Sequence, residues 1–235
     1  AKRIADCILE NAVAQGDSIF WLGIEGEGKN IKIKPVDLYF YGGIAGMAVF
    51  FRKMHRVCGL YGEVCGKLEK MLFSYTDRIG RGEICPATEY PGMYCGEGSV
   101  VYVYQLLYKI SGKTVYKKYA GKHARILLRC VRQEAPFDLL YGNAGAVLVF
   151  CQQYADTGDA MYLQMAQTAL WYLENERVES EQGVTWFGKE EGNPVCSVAH
   201  GNSGVLLAYA RVQSLDDSAD YRERMKQIIK YEDQF

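Results

Sequence analysis

Three things are missing from this 235-residue chain, and each absence excludes something. There is no surplus of either charge: 27 Lys and Arg stand against 28 Asp and Glu, for a net charge of -1. Such a balance leaves no basic surface for a nucleic-acid backbone or an anionic membrane. There is no long apolar run. The apolar stretches, such as Met47 to Phe51 and Ala144 to Cys151, fall far short of the roughly 18 residues a spanning helix needs, so no membrane span is expected. There is also no paired cysteine spacing. The eight cysteines stand at 7, 58, 65, 85, 95, 130, 151 and 196, none in CxxC, and no signal peptide is expected. A reduced, cytoplasmic chain with buried free thiols is expected, not a disulfide framework.

What is present is a core. The chain is 49% hydrophobic and 13% aromatic, enough for one large domain spanning 1–235. Its organisation is a repeat. A Gly-rich turn leading into an apolar segment occurs four times: Gly43-Ile44-Ala45-Gly46, Gly96-Glu97-Gly98-Ser99, Gly142-Asn143-Ala144-Gly145 and Gly201-Asn202-Ser203-Gly204. The period is about fifty residues, the mark of one supersecondary unit copied several times.

The segments after the turns are apolar nearly all round, as in Met47-Ala48-Val49-Phe50-Phe51 and Ala146-Val147-Leu148-Val149-Phe150, and continue too long for strands. They predict helices buried on most faces. Between them, Tyr116, Tyr119, Ala120, His123 and Leu127, and again Tyr162, Met165, Ala166, Ala169 and Leu173, recur at helical spacing with polar residues interleaved. These predict amphipathic outer helices; His55 and His123 are read as surface or wall residues. Connections are marked by Ser111-Gly112, Thr157-Gly158-Asp159 and Asp216-Asp217. A helix over residues 2–14 and a short β ribbon near Ile31 to Val36 precede the repeats. The expected fold is all-α, an α/α toroid with inner and outer helix pairs. Four pairs would leave an apolar edge through which the chain could self-associate.

The turns carry more than glycine. The first follows Asp37-Leu38-Tyr39-Phe40-Tyr41, the third follows Asp138-Leu139-Leu140-Tyr141, and the fourth opens with His200-Gly201, with Trp21-Leu22-Gly23-Ile24 upstream. This series resembles the cyclase domain of class II lanthipeptide (lantibiotic) synthetases within the lanthionine synthetase C-like family. It resembles the stand-alone lanthionine cyclases more distantly. The resemblance implies a toroid of seven helix pairs that forms thioether rings in a ribosomally made precursor peptide. In that chemistry a zinc ion activates a peptide cysteine, whose sulfur adds to dehydroalanine or dehydrobutyrine, and a proton then quenches the enolate.

The same resemblance implies zinc ligands from a Trp-Cys motif and a Cys-His-Gly pair. Neither a Trp-Cys nor a Cys-His dipeptide occurs in the chain. The expectation is therefore a fragment holding about four of seven repeats, preceded in its parent by a dehydratase region, with no zinc bound to it and no activity alone. By motif position the resemblance implies catalytic roles for His200, as acid or base, and for Asp138, orienting a partner or the substrate. Tyr141 and Tyr41 would line a peptide cleft. An Asp shortly before a helix also serves as an N-terminal cap; that reading is open for Asp138 and preferred for Asp37. Two other classes stay open: another α/α-toroid enzyme, and a non-catalytic helical scaffold that binds a peptide or protein on the turn face.

Overall fold

In a computed structural model of the chain, residues 1–26, 30–187 and 196–234 are described; Phe235, the end of the expected domain, lies outside them. Four helices start at the four glycine turns: α2 (Ile44–Cys58), α4 (Glu97–Ser111), α6 (Asn143–Thr157) and α8 (Asn202–Gln213). Each is followed by a second helix, α3 (Gly62–Gly80), α5 (Thr114–Leu128), α7 (Ala160–Glu176) and α9 (Arg222–Glu232). The all-α expectation and the fourfold helix pairing are both observed. The first helix, α1, covers only Lys2–Glu10 and not 2–14. The chain turns at Gly16, whose left-handed φ of 57° joins β1 (Val13–Gln15) to β2 (Ser18–Phe20) in an antiparallel ribbon.

The expected ribbon near Ile31 exists as β4 (Lys32–Pro35), and its partner is β3 (Leu22–Glu25), with Ile24 opposite Ile33. A third ribbon, β5 (Val178–Ser180) with β6 (Gly183–Thr185), was not expected. Strands of three residues carry too few alternations to be read from a pattern.

The chain divides into two compact units. The first comprises Ala1–Ala87 with Val103–Lys122, the second Thr88–Tyr102 with His123–Phe235. In the first unit α2 packs on α3. Ala45, Ala48, Phe51 and Arg52 of α2 and Cys65, Leu68, Glu69, Leu72 and Thr76 of α3 are buried at helical spacing. Phe51 stacks on Trp21 with centroids 6.3 Å apart, and Trp21 Nε1 donates to Ile8 O at 2.6 Å, fastening α1 beside it. An Arg52–Glu69 ion pair joins the two helices from within the core. Gly59 closes α2 with a left-handed φ of 73°, its N–H bonding His55 O, a conformation glycine adopts without a Cβ penalty.

In the second unit α6 is the central element. Ala144, Ala146, Val147, Val149, Phe150 and Cys151 are fully buried, and removing each large apolar side chain from water contributes roughly 1.5–3 kcal/mol. It packs against α7 and α8. Asp159 caps α7 by accepting from Met161 N at 3.0 Å. The β5–β6 ribbon lies on α9. Trp186, just past β6, is buried and donates from Nε1 to Leu173 O at 2.8 Å.

Candidate active site at the glycine turns

A helix leaves its first N–H groups without partners inside the helix, and each of the four turns solves this with its own backbone. Ile44 N and Ala45 N bond Asp37 O and Leu38 O, both at 2.9 Å. Glu97 N bonds Tyr90 O at 2.9 Å. Asn143 N, Ala144 N and Gly145 N reach Pro136 O, Phe137 O and Asp138 O at 2.8, 3.1 and 3.3 Å, and Gly204 N reaches Ser197 O at 3.4 Å. In every case the acceptor stands seven residues before the donor, so the turns are one structure in four copies. The caps Gly43, Gly142 and Gly201 receive no side-chain bond.

That closure explains the glycines. A Cβ on Gly46, Gly145 or Gly204 would drive into the carbonyl oxygen of Phe40, Leu139 or Val198, each six residues back. The constraint is the loop folded under the helix start, joined at Gly145 by Met93 N of the neighbouring turn. In the second turn the close approach falls one residue earlier: a Cβ on Gly98 would meet Pro91 O and Gly92 O. The fourth residue of that turn, Ser99, is fully buried.

The seven-residue closure sets a register. Asp138 corresponds to Ser197, to Gly92 and to Tyr39, whereas Asp37 corresponds to Tyr90 and Pro136. The two aspartates are therefore not equivalents. Asp37 acts through its carbonyl, its side chain being exposed and 3.6 Å from Lys34. Asp138 does not cap α6 with its side chain, which overturns the capping alternative. Its Oδ1 accepts from Tyr141 N at 2.7 Å. Ser197 Oγ does the same for His200 N at 3.1 Å, so Asp138 and Ser197 perform one local task with different groups. A carboxylate has a second oxygen. Asp138 Oδ2 meets His200 Nδ1 at 3.0 Å.

The residue just before the leading glycine is Gly42, Cys95, Tyr141 and His200 in the four turns. Within the second unit, backbone bonds stitch the last three turns together. Gly92 N donates to Tyr141 O at 2.9 Å, Cys95 N to Leu140 O at 2.9 Å, and Leu139 N and Leu140 N both reach Ala199 O, at 3.2 and 3.3 Å. This lines up Cys95, Tyr141 and His200. The Tyr141 ring stacks on the His200 imidazole with centroids 6.0 Å apart and planes 22° from parallel. Its edge meets Tyr90 at 5.7 Å. The charge of Cys95 is the main cause that holds the Tyr141 hydroxyl above its ordinary pKa; partial burial, a hydrogen bond to Cys95 and the Asp138 charge add to it.

Asp138 is buried, while the His200 side chain is 51% exposed. Among the described residues Nε2 of His200 has no hydrogen-bond partner. The group is therefore an imidazole held at one nitrogen by a buried carboxylate and open at the other. Such an arrangement accepts and returns protons. The structure brings Asp138, His200 and Tyr141 together. Tyr41 belongs to the first unit, where it is 72% exposed.

The residue after the leading glycine, Ile44, Glu97, Asn143 or Asn202, is buried in every turn and was not foreseen as functional. Asn143 Nδ2 donates to Arg132 O at 3.0 Å, and Asn202 exchanges bonds with Thr185 Oγ1 while its Oδ1 accepts from Trp186 N at 3.3 Å. Glu97 meets His123 at 2.8 Å, both fully buried. His123 thus lies in the interior and not on a wet face. The carboxylate at the turn was the available signal for it, because a buried acid needs a partner.

Among the described residues no three His, Cys, Asp or Glu side chains converge as a metal-ligand set, and no helix is long and apolar enough to cross a membrane. The family model described as Lanthionine synthetase C-like protein matches residues 34–235. None of the curated proteins matches the chain.

Proposed function

The chain belongs to the lanthionine synthetase C-like family, and on that premise we propose that it serves lanthionine-type ring formation, the addition of a peptide cysteine sulfur to a dehydroalanine or dehydrobutyrine. His200 is the proton-moving group. Its Nε2 takes the thiol proton or returns one to the enolate carbon, and Asp138 holds the opposite nitrogen and balances the charge of the imidazolium. The observation that carries this reading is the Asp138 Oδ2 to His200 Nδ1 contact of 3.0 Å, made by a buried acid to a half-exposed base. The substrate is a dehydrated, ribosomally made precursor peptide, and Tyr141 and Tyr41 are proposed contacts for it. A dehydratase region supplies the dehydroamino acids. Zinc is the family's means of stabilising the thiolate. The described residues do not offer it a ligand set, so no step here runs through it.

The test is thioether formation by the full-length protein on a dehydrated peptide, read by mass spectrometry after alkylation of the remaining thiols. His200→Ala lowers the rate by roughly 100-fold or more, the usual worth of a positioned acid or base, with metal content unchanged. Wild-type cyclisation by that variant removes His200 from the chemistry. Elemental analysis of the purified 235-residue chain completes the test: zinc-free protein agrees with the ligand set being absent from it, and stoichiometric zinc overturns that statement.

A further inference from the structure

We propose that Tyr141 is a positioning residue for His200: it fixes the plane of the imidazole so that Nδ1 stays on Asp138 and Nε2 is left with its lone pair. The proposal rests on the proton-moving role of His200 for its functional meaning, but its geometry stands independently. A half-exposed imidazole with a single hydrogen bond can still rotate about the Cβ–Cγ bond, because terminal torsions of this kind are broad. The near-parallel face of Tyr141, 6.0 Å away at 22°, removes that freedom on one side. Offset stacking of this kind is favourable beyond the buried area and holds the ring plane in which Nδ1 reaches Asp138.

Tyr141 can do this because it is itself held. Its N–H is bound by Asp138 Oδ1 and its carbonyl accepts from Gly92 N. Its ring edge abuts Tyr90. The two oxygens of Asp138 thus divide between the backbone of the stacking residue and the ring being stacked. Packing of a core is not the purpose, since Tyr141 is 37% exposed. The consequence is chemical. Which imidazole nitrogen carries the proton is set by the bond the other one makes. With Nδ1–H donated to Asp138, neutral His200 presents Nε2 as a base.

The tautomer can be read without substrate. In the 235-residue chain labelled with 15N-histidine, long-range 1H–15N spectra recorded where the imidazoles are neutral report the protonation of each ring nitrogen, and His200→Gln assigns the signals. The wild type shows the Nδ1–H form. Tyr141→Phe, which keeps the face, retains it, whereas Tyr141→Leu gives averaged shifts of two tautomers. Circular dichroism confirms the fold, and Tyr141→Met replaces the leucine variant should that one not fold. A folded Leu or Met variant with the wild-type tautomer overturns the proposal, as does an Nε2–H wild type. In the full-length protein the leucine variant loses roughly tenfold in kcat with KM little changed, as expected for a displaced catalytic group. A protein that makes no thioether yet shows the predicted tautomers overturns the proposed function and leaves the positioning of His200 in place.

Discussion

The first and third turns share their hydrogen-bonded closure and differ in their chemistry. Both close by N–H groups reaching carbonyls seven residues back, and both bury the residue after the leading glycine. In the first turn the residue before that glycine is Gly42, with a φ of 76° and open space around it, and Tyr39 stands in the register of Asp138. In the third turn the same two positions hold Tyr141 and Asp138, and they engage His200 of the fourth. Structure is thus carried by the backbone and the glycines, and chemistry by two side-chain positions that the closure does not use.

That division can be broken experimentally. The largest effect is expected where the backbone is touched. Gly46→Val and Gly145→Val each push a side chain into a carbonyl and lower stability by at least about 3 kcal/mol, in either turn alike. A wild-type urea melt for Gly145→Val would remove the steric account. Asp138→Ala separates the two layers: ring formation falls about 100-fold, while the melt moves by only about 1–2 kcal/mol for the lost bond to Tyr141 N. Equal losses in both assays would mean that Asp138 is structural. Asn202→Ala leaves Thr185 and Trp186 N without their buried partner and is expected to cost about 1–3 kcal/mol with the tautomer of His200 unchanged.

The smallest effect lies in the first unit and sharpens the contrast with the open His200. Partial burial works against the Asp77 charge, but bonds from Lys122 and Tyr119, both at 2.7 Å, outweigh it and hold the carboxyl below its ordinary value. The stabilisation is therefore full above the unfolded carboxylate range near pH 4 and is lost as pH falls through the lower folded value. Asp77→Asn removes that part of the acid-side slope, at most about 1 kcal/mol for so accessible a pair. An unchanged acid limb would show that the bonds carry no net energy.

The four turns and eight repeat helices were legible because glycine spacing and apolar runs are backbone requirements written directly into residue type. His200 and Asp138 were legible only by motif position. Their pairing was not, since 62 residues separate them and only the stitching of the turns brings them together. Cys95, beside Tyr141, gave no signal alone. His123 was misplaced because its helix is amphipathic in pattern, while one buried acid, Glu97, draws it inward. The β5–β6 ribbon escaped notice for a different reason: its burial comes from contact with α9, far along the chain.

A turn whose helix-start N–H groups are bonded by peptide carbonyls has a further consequence, for how such a protein can change. The position before the leading glycine holds glycine, cysteine, tyrosine and histidine in four copies closed the same way. None of the three side chains is needed to close its own loop. Exchange at that position leaves the peptide closure of the last three turns intact, whereas Gly42, at a φ of 76°, is strained by any side chain; three of the turns therefore act as mounts on which new reactive groups can be tried one at a time while the protein continues to fold.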